Sequence, residues 1–201
     1  MPRKPLIRTA DYHYHIYARS NNREWFCLPM DEVWEVFIAN LEFAVKKHGA
    51  KPTCFVLMGN HYHLLINTPE SNIDKVMHDF NHRFSLGIGR KTKRINKILG
   101  GRYKWSLIKS DEHFLTIYRY IYQNPMRAKI CCSVDDYKYH SMSPALKDGQ
   151  LLFDGALEYA NLEFNSNSEK IDWINQIEGQ EKDEVVRKGL VKTIFKPVYP
   201  R

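Results

Sequence analysis

Residues 53–67 read Thr-Cys-Phe-Val-Leu-Met-Gly-Asn-His-Tyr-His-Leu-Leu-Ile-Asn. Two apolar runs flank Gly59-Asn60, and a glycine there lets the chain turn tightly between two strands. The spacing predicts an antiparallel hairpin with strands over 53–58 and 61–67. Side chains alternate across a strand, so His61 and His63 share a face, their alpha carbons roughly 6–7 Å apart at ~3.3 Å of rise per residue. Tyr62, Leu64 and Ile66 take the opposite face and can pack on a core. Neighbouring imidazoles form a ready pair of ligands for a divalent transition ion. Read alone, the same pair also describes two half-buried polar groups on a strand.

Outward from the hairpin, the pattern repeats. Residues 12–19 alternate and are rich in Tyr and His, which predicts a first strand, and a polar loop follows over 20–30. Asp31 can cap a helix running to about His48, with Trp34, Phe37, Ile38, Leu41, Ala44 and Val45 as its apolar stripe and Gly49 as its stop. Beyond the hairpin, Ile73, Val76, Met77, Phe80 and Phe84 mark the inner face of a second helix over about 73–88. Residues 102–109 read as a fourth strand. The order strand-helix-strand-strand-helix-strand is the α+β, ferredoxin-like arrangement. It puts two helices on one face of an antiparallel sheet and is expected to leave the His61/His63 face open.

Residues 110–128 predict a third, added helix. Ser110 suits the N-cap, and Asp111 and Glu112 suit the positive helix end. Pro125 disfavours helical geometry at the residue before it, which predicts an end near Gln123 or Asn124. Phe114, Ile117, Tyr118, Ile121 and Tyr122 fall on one stripe, the core face. Tyr120 does not. Asn124, four residues on, lies beside it at a beta-carbon separation of about 5–6 Å. Taken singly, Tyr120 is an amphipathic surface tyrosine and Asn124 a helix-end residue ahead of a proline. Taken with the histidine pair, they fit one chemistry.

These stretches carry a resemblance. Tyr12 to Phe26, Val56 to Ile66 (with Gly-Asn-His-Tyr-His) and Arg119 to Ile130 (with Tyr-Ile-Tyr-Gln-Asn-Pro) resemble the first strand, the histidine strand and the tyrosine helix of the single-tyrosine HUH transposases. Within that family the chain is most similar to the REP-associated tyrosine transposases, over about residues 5–145. The resemblance implies Tyr120 as nucleophile and His61, His63 and Asn124 as ligands of Mg2+ or Mn2+. It further implies single-stranded DNA with hairpin elements as the substrate, acting as a monomer or a homodimer. Two departures stand out: Gly59 where many relatives have proline, and Tyr139-His140-Ser141 where relatives often have an aromatic followed by two serines.

The residue types suit that chemistry. A free phenol has a pKa of ~10, so only about one in a thousand is ionised at neutral pH, and it needs help to attack phosphorus. A divalent ion with open positions polarises a phosphate and offsets charge on the oxygens. Imidazole ligands favour manganese, and cellular supply favours magnesium.

Composition sets outer bounds. With 201 residues there is room for one domain and an appendage, and a formal charge of +7 suits a polyanionic partner. No apolar run approaches the length of a membrane span. The basic N-terminus lacks the apolar stretch of a secretory signal, which points to the cytoplasm and the nucleoid. Cys27, Cys54, Cys131 and Cys132 show no Cys-x-x-Cys spacing and read as reduced thiols. Arg90, Lys91, Lys93, Arg94, Arg102 and Lys104, with Tyr103 among them, form a basic stretch. By itself this is a solvated loop; beside a DNA-cleaving site it is a candidate phosphate-binding arm with aromatics for stacking. Arg19, Arg23, Arg83 and Arg127 are further candidates.

From about residue 146 the composition turns polar and mixed in charge. Helical stretches are expected near 155–163 and 168–188, with a linker at Asn165-Ser166-Asn167-Ser168. The division expected is a transposase domain over 1–145 and an extension over 146–201 in which no chemistry is evident. Two other readings remain open. One is a replication-initiator or relaxase nickase of the same superfamily, which more often carries a second tyrosine; Tyr118 and Tyr122 mimic that pattern but lie on the packing stripe. The other is a non-catalytic nucleic-acid-binding module with a ferredoxin-like sheet.

Overall fold

The computed structural model describes residues 5–146, 162–177 and 179–199. Four strands, β1 (His13–Arg19), β2 (Lys51–Met58), β3 (His61–Asn67) and β4 (Lys104–Ile108), form one sheet in the order β2-β3-β1-β4. Every neighbouring pair is antiparallel. Helix α1 (Met30–His48) joins β1 to β2, and α2 (Ile73–Thr92) joins β3 to β4. This is the ferredoxin-like α+β arrangement expected from the element order.

Each element follows from its sequence. α1 starts after Pro29, carries Asp31 and Glu32 in its first turn and stops at Gly49, whose φ of 63° is left-handed. Its stripe of Phe37, Ile38 and Leu41 meets Phe80 and Phe84 of α2, with Tyr14, Ile16, Phe55, Tyr62 and Leu64 from the sheet. Two of the buried tyrosines of this core are hydrogen-bonded: Tyr14 Oη accepts from the Thr9 amide at 2.8 Å, and Tyr62 Oη donates to Asn81 Oδ1 at 2.6 Å. A buried hydroxyl without such a partner costs about 1–3 kcal/mol.

The opposite sheet face is not open. Helix α3 (Asp111–Arg127) lies over it, capped by the Ser110 side chain accepting from His113. Phe114, Ile117, Tyr118, Ile121 and Tyr122 pack on Cys54, Val56, Leu65 and Ile108, so the tyrosine helix builds a second core. The segment after α3 closes one edge of this core. Tyr139 and Ser141 exchange main-chain hydrogen bonds with Leu57 and Phe55 of β2, and Ser141 Oγ lies 2.6 Å from Tyr122 Oη. The Tyr139-His140-Ser141 segment thus tethers the chain to an edge strand.

α3 also runs past its expected end. Pro125 sits inside the helix, and the turn closes at Lys129, whose φ is 58°. A proline there removes the amide that would bond the Ile121 carbonyl; the Asn124 side chain replaces it, as described below.

The extension docks on α3. Its described helices are α4 (Asn167–Asn175) and α5 (Gln180–Leu190). The single helical stretch expected over 168–188 is broken because Gln123 Nε2 of α3 takes the carbonyls of Ile174 and Gln176 at 2.5 and 3.2 Å, ending α4. Of the stretch expected at 155–163, residues 155–161 lie outside the described residues, and 162–164 are not helical. Ile174, Val186 and Phe195 join the second core. Residues 193–195 run parallel to the β4 edge, with Leu107 donating to Thr193 at 2.9 Å and Phe195 donating to Leu107 at 2.8 Å. That pairing covers an edge otherwise open to other strands. No helix among the described residues is long and apolar enough to cross a membrane.

Gly189 is where α5 and this terminal strand touch. A beta carbon there would meet the Lys196 carbonyl oxygen at 2.6 Å and the Phe195 ring at 2.7 Å. Gly189→Ala is therefore expected to destabilise the protein by about 1–3 kcal/mol through overpacking, measured as a lower urea midpoint; an unchanged midpoint would mean that this strand is not held against α5.

Candidate active site

The register of the central strands assembles the site. Tyr17 of β1 stands opposite His63 of β3, and Arg19 opposite His61. On the far side of β3, Val56 and Met58 flank the same histidines. Since alternate residues share a face, His15, Tyr17 and Arg19 project beside His61 and His63, toward α3. Here a cleft of about 670 Å³ opens among β1, β3, the start of β4, the end of α3 and α5.

The histidines are held in one orientation each. Asn60 Nδ2 donates to the Arg23 carbonyl at 2.7 Å, which turns Asn60 Oδ1 toward His61. That oxygen can only accept, so His61 Nδ1, 2.6 Å away, carries the proton and Nε2 keeps its lone pair. His63 Nδ1 lies 2.9 Å from His15 Nε2, leaving Nε2 of His63 as its unengaged nitrogen. Such outer hydrogen bonds are what fix a metal-binding imidazole in its ligating tautomer. Burial, with the charge of Arg19 adding to it, pulls His61 down to about 4, and burial pulls His15 down to about 3. Burial drives His63 well down too, helped by His15, His61, Arg19 and Arg187. At neutral pH all three are therefore uncharged, the form that offers a lone pair.

Tyr120 meets this pair from α3. Its ring centroid lies 5.8 Å from that of His63, edge-on, and 6.4 Å from that of His15. All three tyrosines belong to the second core, but Tyr120, 6% exposed, also lines the cleft, which Tyr118 and Tyr122 do not. One turn on, Asn124 Nδ2 donates to the carbonyls of Tyr120 at 2.7 Å and Ile121 at 3.3 Å. The second of these carbonyls is the one Pro125 leaves without an amide. With Nδ2 so engaged, the Asn124 oxygen is the atom left for a ligand. Two neutral imidazoles and one amide oxygen suit a divalent ion that keeps open positions for phosphate oxygens. No three His, Cys, Asp or Glu side chains among the described residues form a metal cluster, so an amide would have to complete the set.

The basic residues divide into two groups. Arg19, Arg102, Tyr103, Lys104 and Arg127 line the cleft. Arg23, in the short turn after β1, does not line it, though it is near enough to Tyr17 for its charge to act on that phenol. Arg83, Arg90, Lys91, Lys93 and Arg94 do not line it. Arg83 stacks 3.8 Å over Phe43, Lys91 pairs with Glu32 at 2.8 Å, and Arg94 pairs with Glu24 at 2.5 Å. Arg127 is itself engaged, ion-paired to Asp183 of α5 and donating to Gln123 Oε1 at 2.6 Å.

Three residues at the cleft escaped the sequence reading. His15 and Tyr17 share the parity of Arg19 along β1, a signal that acquires meaning only once β1 is known to pair with β3. Arg187 of α5 also lines the cleft, and no local pattern links it to residues so far upstream.

Comparison with known proteins bears on the family and the fold. The family described as "Transposase IS200 like" matches residues 8–124, more than half of the chain. The chain belongs to the IS200-like transposase family. Its fold is similar to that of a REP-associated tyrosine transposase solved bound to a REP hairpin, with a TM-score of 0.61 and 14% identity over 70% of this chain and 82% of that one. A putative transposase from Deinococcus radiodurans matches at a TM-score of 0.40 and 15% identity, over 60% of this chain and 94% of that one. No curated protein sequence matches.

Because Asn124 Nδ2 serves the Ile121 carbonyl that Pro125 leaves without an amide, Asn124→Ala should lower stability by about 1–2 kcal/mol as that buried acceptor loses its donor. Urea unfolding followed by circular dichroism reads this out, and a loss below ~0.3 kcal/mol would show that another group satisfies it.

Proposed function

We propose that this transposase cleaves and rejoins single-stranded DNA near hairpins through a covalent phosphotyrosine on Tyr120. The observation that carries the reading is the position of the Tyr120 ring, 5.8 Å from the His63 ring of the same chain, in a cleft lined by cations. A binding module has no need of a tyrosine facing two neutral, oriented imidazoles.

In this reading His61, His63 and Asn124 hold Mg2+ or Mn2+. When bound, such an ion polarises the phosphate and offsets charge on its oxygens. The protein's own groups do the rest. Arg19, whose Nε is buried without a hydrogen-bond partner among the described residues, binds and orients a phosphate beside His61. Tyr120 Oη attacks phosphorus in line as its proton passes to solvent water. The new O–P bond forms as the bond to the 3′ oxygen breaks, and that oxygen leaves as a hydroxyl after taking up a proton. The 5′ end stays on Tyr120 as a phosphodiester. A second 3′-hydroxyl reverses the step and joins the strands without an energy cofactor, since one phosphodiester replaces another.

The similar tyrosine transposase is bound to a REP hairpin, which supports a hairpin-bearing DNA partner here. The closeness of Tyr120 to histidines of its own chain supports a single subunit as the complete catalytic unit. The neutral imidazoles, the cationic cleft and the family support a metal-dependent strand transferase of the cytoplasm.

Incubation with hairpin-bearing oligonucleotides and Mn2+, followed by a denaturing gel, tests the cleavage. Wild-type protein is expected to give a shifted covalent band that Tyr120→Phe and His61→Ala abolish, while Tyr120→Phe still binds the hairpin. An adduct persisting in Tyr120→Phe would move the nucleophile elsewhere, and hairpin binding with no adduct in any variant would leave a binding module. His15→Phe tests the support of His63 separately: Mn2+ affinity by titration calorimetry should fall about 10–100-fold, and undiminished affinity would remove His15 from the site.

A further inference from the structure

We propose that Arg187 of the C-terminal extension grips a backbone phosphate of the DNA strand in the cleft, across from Arg19. The inference rests on reading the cleft as a DNA-cleavage site, and it assigns part of that site to a segment outside the family match at residues 8–124.

The charge of the cleft is one-sided. Its lining holds Arg19, Arg102, Lys104, Arg127 and Arg187 and no carboxylate. Like charges gathered along one cleft give it a positive potential that favours an entering anion. Arg127 is neutralised by Asp183, with side chains only 8% and 15% exposed. Arg187 makes no ion pair with any described residue, whereas its neighbour Lys188 pairs with Glu184 at 2.9 Å. It also lies near enough to His63 for its charge to disfavour protonation of that ring.

The placement of Arg187 is built rather than incidental. Asp183, Arg187 and Leu190 recur at helical spacing and therefore share one face of α5. Asp183 fastens that face to α3 through Arg127, whose guanidinium stacks 5.7 Å from the Tyr120 ring. One turn further along, the same face carries Arg187 over the cleft. The strand at 193–195, bonded to β4, anchors the other end of α5. A guanidinium carried on a helix anchored in this way can present a planar donor fork to phosphate oxygens, which the point charge of a lysine does not reproduce.

Arg187 is exposed at the rim, so its truncation spares the fold, which an unchanged thermal midpoint verifies. The probe is a single-stranded oligonucleotide of mixed sequence carrying one hairpin, used with the full chain. In metal-free buffer and on a Tyr120→Phe background, Arg187→Ala should weaken binding and make the slope of log affinity against log salt shallower by about 0.7, one phosphate contact. With Mn2+ and Tyr120 intact, Arg187→Ala should slow adduct formation about 10–100-fold. Arg187→Lys should recover only part of that rate, and added methylguanidinium should restore it. An unchanged salt slope, or adduct formation as fast as or faster than wild type, overturns the proposal. A shallower slope in a protein that forms no adduct supports the phosphate contact while sinking the cleavage reading, so the two are distinguishable.

Discussion

The pairing of β1 with β3 is the constraint on which the cleft depends. With Tyr17 opposite His63 and Arg19 opposite His61, one sheet face acquires two imidazoles, a phenol and a guanidinium within a few ångströms. A slip of one residue would carry every one of these side chains to the other face. The alternative is blocked energetically, because the opposite face buries Tyr14, Ile16, Tyr62, Leu64 and Ile66 against α1 and α2. Each such side chain contributes roughly 1.5–3 kcal/mol by leaving water. The hydrophobic core on one side of the sheet thereby sets the register of the polar constellation on the other.

The polar constellation in turn relies on the second core. α3 carries Tyr120 and Asn124 to the cleft because Phe114, Ile117, Tyr118, Ile121 and Tyr122 are buried against β2, β3 and β4. Tyr120 is buried with that stripe and still lines the cleft, so the packing that holds α3 also sets where its ring lies. Pro125 and Asn124 work together at its end: the ring removes an amide, and the Asn124 amide group fills the vacancy at 3.3 Å. The result fixes Nδ2 and leaves the oxygen available. An asparagine that looks like a helix terminator in the sequence is, in three dimensions, a buried residue inside a continuing helix, its side chain closing a carbonyl that Pro125 leaves without an amide.

The extension contributes more than its composition suggests. Its residues are polar and mixed in charge, yet Ile174, Val186 and Phe195 complete the second core and Asp183 neutralises Arg127. Breaking such a buried ion pair by removing one partner leaves a charge with neither water nor counter-ion, which costs several kcal/mol. Docking of α5 is therefore coupled to the helix that bears Tyr120. The fold resembles that of a REP-associated tyrosine transposase over 70% of this chain.

Much of this was legible locally. The hairpin with its Gly59-Asn60 turn, the two amphipathic helices and the order of the elements all follow from periodicity and turn chemistry, whereas Tyr120, which helical spacing sets apart from the packing stripe, is buried with it in the second core. Those signals are local, and the sequence alone sufficed for them. Tertiary structure decided the rest. Parity along β1 marks His15 as a partner of His63 only after the strands pair. Burial of the second sheet face depended on α3 crossing it, and the division of the basic residues depended on which elements the packing brings to the cleft. Arg187 reaches the cleft through contacts between segments remote in sequence. Hydrogen bonds and ion pairs of that kind leave no periodic trace in the chain, because their spacing is set by how whole elements pack.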